Sequence, residues 1–259
     1  MNSMLGYDIE TGPETDEVLQ DLYIPLDPAS IPHPGEFDPA SVKCGNLKDQ
    51  LKIAAKIEEA RASHALAVKN YAGTVADAVT NHYKAFVEKA ALSGITGRIL
   101  AFGHRKDVNG PSRGIGHIDE FDSEQAFVND IWKFVGSYKS TCKVGFNTHG
   151  FDLPFLILRS YRLNVAIPPW VRDSRGYFHE SFVDLATLWS FPRMHYPFPD
   201  SKLDTVARLL NVGRKTEGMC GGDFHKLYFG TPEERQQSFD YLNNDLDITW
   251  DCAVVMQVK

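Results

Sequence analysis

Residues 4–11 read Met4-Leu5-Gly6-Tyr7-Asp8-Ile9-Glu10-Thr11, and the reading of this octapeptide decides the fold. Apolar and acidic residues alternate, as expected for a short strand with Tyr7 and Ile9 on one face and Asp8 and Glu10 on the other. Two carboxylates at i and i+2 then point the same way about 7 Å apart. Like charges held that close are unfavourable unless a cation neutralises them. Taken alone, the tetrapeptide Asp-Ile-Glu-Thr is equally well a strand with one solvated face.

Downstream, Gly12 to about Pro39 is proline-rich and acidic and reads as extended loop. From about Leu47 to Leu92 the chain is rich in Ala, Lys and Glu, with apolar residues at helical spacing (Ile53, Ala54, Ile57, then Val79, Tyr83, Phe86). This predicts two helices broken near Gly73. After Gly97 short strands and helices alternate. Strands are expected at 98–103, 114–118, 143–146 and 182–185, and helices at 123–138, 152–161, 203–210 and 232–258. The last helix is entered through Thr231-Pro-Glu-Glu. No internal repeat or low-complexity tract is evident. The pattern predicts one α/β domain over 1–259, with a loop-plus-helical insertion at about 13–92 after the first strand.

Two further clusters carry chemistry. Phe146-Asn147-Thr-His-Gly-Phe151-Asp152 puts an acid at the head of a helix, where the macrodipole favours negative charge. Read alone, it is an ordinary helix cap. Tyr241-Leu-Asn-Asn-Asp245 places a phenol and a carboxylate one turn apart on one face. Asp is mildly unfavourable inside a helix and needs a reason to be there. Asp247 and Asp251 fall on another face and read as solvated surface.

Taken in order, acid-x-acid, Asn-x-x-x-Phe-Asp and Tyr-x-x-x-Asp resemble the three exonuclease motifs of the DEDD superfamily, in its tyrosine subclass. Val183-Asp-Leu-Ala-Thr-Leu followed by Lys202-Leu-Asp-Thr-Val-Ala-Arg is similar to the corresponding region of family B DNA polymerase proofreading domains and their stand-alone bacterial and phage relatives. The resemblance covers residues 1–12 and roughly 95–256, not the insertion. It implies a ribonuclease H-like mixed sheet flanked by helices, and a 3'→5' exonuclease hydrolysing phosphodiester bonds, of single-stranded DNA in preference to RNA. A catalytically idle nucleic-acid-binding protein of the same fold is the alternative from another class.

By the same resemblance Asp8 bridges two divalent ions. Glu10 and Asp245 complete the site of the ion that activates water, Asp152 supports the second ion, and Tyr241 orients the attacking water. Thr11, Asn147 and Phe151 are expected to contact the terminal nucleotide. All-carboxylate ligation points to Mg²⁺ or Mn²⁺.

Several other residues are set aside. His149 reads as a surface or substrate-edge histidine rather than a general base. Arg172, Arg175, Arg193, Lys202 and Arg208, beside Trp170, Tyr177, Phe178 and Trp189, could line a phosphate path but read more simply as surface charge over core aromatics. Gly213–Gly222 reads as a loop before the last helix. For the insertion two readings stand. Its helices either pack on the flank of the sheet, or form a cleft wall on which Lys48, Lys52, Lys56, Lys69 and Lys84 meet phosphates.

The net charge of −7 argues against tight, processive binding to nucleic acid rather than against the chemistry. Four scattered cysteines exclude a C-x-x-C zinc site, and the sequence carries neither a signal-peptide layout nor an apolar run long enough for a membrane. A reduced, cytoplasmic setting is the expectation. Protein partners are not legible.

Overall fold

A computed structural model describes residues 3–107, 112–173, 181–190, 202–216, 218–219 and 221–258. The chain divides into two compact units, one of residues 1–19 with 89–259 and one of residues 20–88.

In the larger unit the opening strand β1 (Met4–Pro13) is followed by a short helix α1 (Asp16–Leu22), which anchors itself through the buried Leu19. That helix corrects the reading of 12–39 as continuous loop: a single apolar anchor carries too little periodicity to be seen. The remaining elements are β2 (Gly97–Lys106), β3 (Ser112–His117), α3 (Glu124–Ser137), β4 (Cys142–Gly145), α4 (Asp152–Arg162), α5 (Pro169–Arg172), β5 (Phe182–Asp184), α6 (Leu185–Ser190), α7 (Leu203–Leu209), α8 (Phe224–Tyr228) and α9 (Pro232–Val255). The long helix α2 (Gln50–Ala90) is described below with the smaller unit.

The five strands form one mixed sheet in the order β3-β2-β1-β4-β5, antiparallel on the β2 side of β1 and parallel on the β4 side. β1 is therefore central, and the alternation expected of it holds. Tyr7 and Ile9 bury on one face among residues of α3 and α4, including Phe127, Ile131 and Leu153. On the other face α9 packs with α7 over Met4 and Val144, and with α8 over Leu100 and Ala101.

The β1–β2 register shifts between Glu10 and Thr11, which pair with Ala101 and Ile99 and leave Leu100 as the extra residue. A bulge interrupts strict alternation. Ile99 and Phe102 consequently serve one core while Leu100 and Ala101 serve the other.

Helix boundaries follow the capping chemistry. Ser123 accepts the Ala126 N–H to start α3, and Thr231 with Glu234 closes a capping box at α9 with Pro232 in the first turn. The orientation of α4, which matters for the site, is set by the buried Arg159. Its guanidinium binds Glu14 beyond β1 (2.7 Å) and, through Nε, Glu124 of α3 (2.9 Å). Asp247, expected to be plainly solvated, instead joins Arg105 (2.8 Å) and Arg113 (2.7 Å) and ties α9 to β2 and β3.

The smaller unit is organised by α2. It runs unbroken for 41 residues through Gly73, which overturns the expected break. One glycine costs a helix only about 1 kcal/mol, which the rest of a long Ala-, Lys- and Glu-rich run outweighs. Only Ala90 of α2 is buried, and the apolar stripe of this helix stays at least partly exposed. It is partly covered by a strap, residues 23–43, running antiparallel to it. Tyr23 bonds His82 (2.9 Å), Tyr71 donates to Ile31 O (2.9 Å), and Lys56 donates to Lys43 O (2.8 Å). The strap contains a repeat where none is apparent at first reading: Asp-Pro-Ala-Ser at 27–30 and again at 38–41. Each copy makes a 3₁₀ turn capped by its own Asp.

Candidate active site

A cleft of about 700 Å³ opens in the larger unit over the middle of β1. Asp8 and Glu10 enter it from β1 and Asp245 from α9, with one carboxylate oxygen of each within 4.8 Å of the others. Asp152, the first residue of α4, completes the group. Its Oδ1 accepts the Ile9 N–H at 3.0 Å, and its carboxyl is hydrogen-bonded to that of Asp8. Four acids from three elements, far apart in sequence, thus meet.

Burial, reinforced by mutual repulsion, holds the carboxyls of Asp8 and Glu10 well above the usual range. Asp152 is raised to about 6 by burial, against hydrogen bonds from Asp8 and Ile9 that pull the other way. Asp245 is raised by burial despite the cation beside it. Without added positive charge such a cluster retains protons. Asp245 Oδ1 is also buried with no hydrogen-bond partner among the described residues. An orphaned carboxylate oxygen facing two further acids is a donor set that suits a divalent cation.

That nearby cation is Lys215. Its Nζ lies 2.5 Å from Asp245 Oδ2 and donates to the Tyr241 hydroxyl at 2.8 Å. Burial alone would lower its pKa, but the Asp245 carboxylate outweighs this and raises it. The Tyr241 phenol is pushed far up by burial and then by Asp245, Glu10 and Asp8, so it is held as a neutral hydroxyl. Sequence reasoning missed Lys215, since a lysine in an irregular glycine-rich loop carries no periodic signal.

The segment 146–151 is held by Asp184, a second residue the sequence did not single out. Its buried carboxylate accepts N–H groups from Asn147 (2.8 Å), His149 (3.0 Å) and Ala186 (2.9 Å). The turn is fixed further by the Tyr7–Thr148 hydroxyl pair. Gly145 must be glycine here, because a Cβ would sit 2.9 Å from Thr148 Cβ. Asn147 takes the left-handed conformation at φ 59° and, with Phe146 and Phe151, lines the cleft.

The other candidates divide. Thr11 lines the cleft, but its buried hydroxyl is committed to Ala91 O at 2.6 Å. Lys202 lines it at the entry to α7, and the 213–222 loop adds Lys215, Met219, Gly221 and Gly222. His149 turns away, with Nε2 3.3 Å from Phe182 O. Arg172 pairs with Asp173 at 2.8 Å, Trp170 stacks on Phe182, and Trp189 packs against the α7–α9 core. Arg175, Tyr177, Phe178 and Arg193 lie outside the described residues.

Residues 98–252 match the family described as a predicted 3'-5' exonuclease related to the exonuclease domain of PolB. The chain belongs to this family. The matched segment contains Asp152, Tyr241 and Asp245, and the fold brings Asp8 and Glu10 to them from upstream. Among solved structures, the family B DNA polymerase from the hyperthermophilic archaeon Pyrobaculum calidifontis aligns with a TM-score of 0.52 and 15% identity. The alignment covers 99% of this chain and 25% of that one. The likeness is one of fold, and this exonuclease-family chain spans a quarter of the polymerase. Its mixed sheet with flanking helices is the ribonuclease H-like α/β arrangement expected from the motifs. No curated protein matches the sequence.

Proposed function

We propose that this chain is an active, divalent-metal-dependent 3'→5' exonuclease that removes nucleotides from single-stranded DNA. The observation that carries the reading is the buried carboxylate cluster, with its orphaned Asp245 oxygen, inside a cleft deep enough for a nucleotide. Asp8, Glu10, Asp245 and Asp152 are the residues that would hold two ions, Mg²⁺ or Mn²⁺. When bound, such ions lower the pKa of a water nucleophile and stabilise charge on the leaving oxygen.

The protein's own groups supply the rest. Tyr241, a neutral phenol fixed by Lys215, offers its hydroxyl to orient the attacking water. The ammonium of Lys215 contributes a fixed positive charge where the phosphate docks, offsetting the acidic surroundings. Phe146, Phe151 and Met219 give the cleft an apolar side against which a base can lie, and Asn147 presents its amide at the rim.

The decisive experiment follows 5'-labelled single-stranded DNA and RNA of the same sequence with Mg²⁺, Mn²⁺ or EDTA. The expected result is a descending ladder, stronger on DNA, that EDTA abolishes. Immediate release of the labelled mononucleotide would mean attack from the 5' end and would overturn the direction, while a stronger ladder on RNA would transfer the activity to RNA trimming. Nucleic acid bound but uncut under every metal condition would leave a binding protein.

A further inference from the structure

We propose a second binding site for the sugar–phosphate backbone of a single strand, in a groove beside the cleft, which carries the chain upstream of the 3' terminus. This deepens the exonuclease reading and rests on it for the direction of the strand.

The groove, of about 690 Å³, is lined by Thr205, Arg208, Leu209, Asn211, Gly213 and Arg214. It shares two walls with the cleft. Lys202 and Asp204, at the start of α7, line the cleft, while Thr205 and Arg208, further along the same helix, line the groove. On the other wall Arg214 faces the groove and the next residue, Lys215, reaches into the cleft. A strand leaving the carboxylates along these two segments passes from one lining to the other over consecutive residues of the same two segments.

The groove is built rather than incidental. The 211–214 turn closes α7 through Val212 N–H to Ala207 O (3.0 Å), with Asn211 in the left-handed region at φ 57°. It is pinned to α9 by Asn244, whose amide donates to Arg214 O at 3.1 Å. Asn244 immediately precedes Asp245, so the groove and the metal-binding helix are fixed to one another. This gives a physical role to an asparagine inside the Tyr-x-x-x-Asp motif.

Charge selects the occupant. In a chain of net charge −7, Arg208 and Arg214 both line this groove, and among the described residues the one carboxylate paired with either is Asp204. That pair is loose, at 3.8 Å, and Arg208 is well exposed, so it keeps donors to spare. Arg214 makes no ion pair among the described residues. Two guanidinium forks suit the non-bridging oxygens of successive phosphodiesters. Leu209, 62% exposed between them, offers an apolar surface to a sugar or base.

The test compares this protein with its Arg208→Gln/Arg214→Gln variant, both substitutions being on exposed side chains. Anisotropy of 5'-fluorescein oligothymidylate is followed against KCl with EDTA present, for strands of roughly ten and roughly three nucleotides. Wild type is expected to prefer the longer strand. In the variant that preference should collapse, and the slope of log K against log salt should fall by about 1.4, the value for two lost single-strand phosphate contacts. An unchanged slope and length preference, or a wild type with no length preference at all, overturns the groove site. If the slope falls but neither protein cuts DNA with Mn²⁺ present, the groove stands and the exonuclease reading fails. If DNA is cut and the slope is unchanged, the reverse holds.

Discussion

The two units of this chain solve opposite problems. In the larger unit a central strand, closely covered on both faces, holds acids so close together that their carboxyls are raised above the usual range. In the smaller unit a helix about 60 Å long is mostly exposed, steadied by a strap of aromatic and histidine contacts. Tight packing allows charges to be placed to within a fraction of an ångström, whereas loose packing tolerates change. The chemistry should therefore be fragile in one region and indifferent to the other.

The sharpest break of that comparison is Asp8→Ala. Turnover should fall to background, because the acid that meets Asp152 and neighbours Glu10 is gone. The metal-free protein should nevertheless melt at a higher temperature, since repulsion is relieved. Near-native ladders across a metal titration would dissolve the contrast. Tyr241→Phe removes only a hydroxyl. A kcat loss of about 10²–10⁴-fold is expected with metal dependence unchanged, whereas Asp245→Asn should weaken metal binding and recover in part at high Mn²⁺.

Asp184→Asn tests whether the clamp on 146–151 matters to chemistry. The amide presents one acceptor where the carboxylate presents two, so the Asn147 and His149 N–H groups cannot both be satisfied. Metal affinity should drop about 10-fold, as for other groups that orient a ligand. A lowered melting temperature with native metal titration would make Asp184 scaffold only.

The same Gly→Ala change should have opposite signs in the two units. A Cβ at Gly103 would meet Leu246 Cδ1 at 2.7 Å, so overpacking should destabilise by about 1–3 kcal/mol. At Gly73 nothing lies within 4 Å, so the substitution should stabilise α2 by about 0.5–1 kcal/mol and leave cleavage untouched. Denaturant melts followed by circular dichroism, paired with ladder assays, read both.

A further effect is pH-dependent. Asp152, raised to about 6 from an unfolded value of about 3.9, binds more protons when folded. The metal-free protein should therefore lose stability as pH rises from about 4 to about 6, and melt lower at pH 7.5 than at pH 5. Saturating Mg²⁺ should remove the difference, and a flat profile in EDTA would contradict the burial of these acids.

The features legible in the sequence were those with a period or an order. Strand alternation placed Asp8 and Glu10 on one face, Thr231-Pro-Glu-Glu marked the start of α9, and helical spacing paired Tyr241 with Asp245. Those same signals carry no information about contacts made by irregular backbone. Lys215 and Asp184 act through a loop and through backbone N–H groups, neither of which leaves a pattern. The unbroken α2 was missed because a glycine marks a local preference, while helix length is decided by the sum over many residues. The bulge at Leu100 was invisible for a related reason: Ile99, Leu100, Ala101 and Phe102 are all apolar, so a slip of register among them changes no visible alternation.

The hydrogen-bonded neighbours β1 and β2 are separated in the chain by the whole smaller unit, and Asp8 meets Asp245 across nearly the full sequence. Closing loops of that length is slow, whereas a local helix forms early. A refolding chain should recover its helical signal well before its carboxylate cluster is assembled. During synthesis β1 must wait for α9, so a partly made chain holds these acids apart and has no assembled carboxylate cluster.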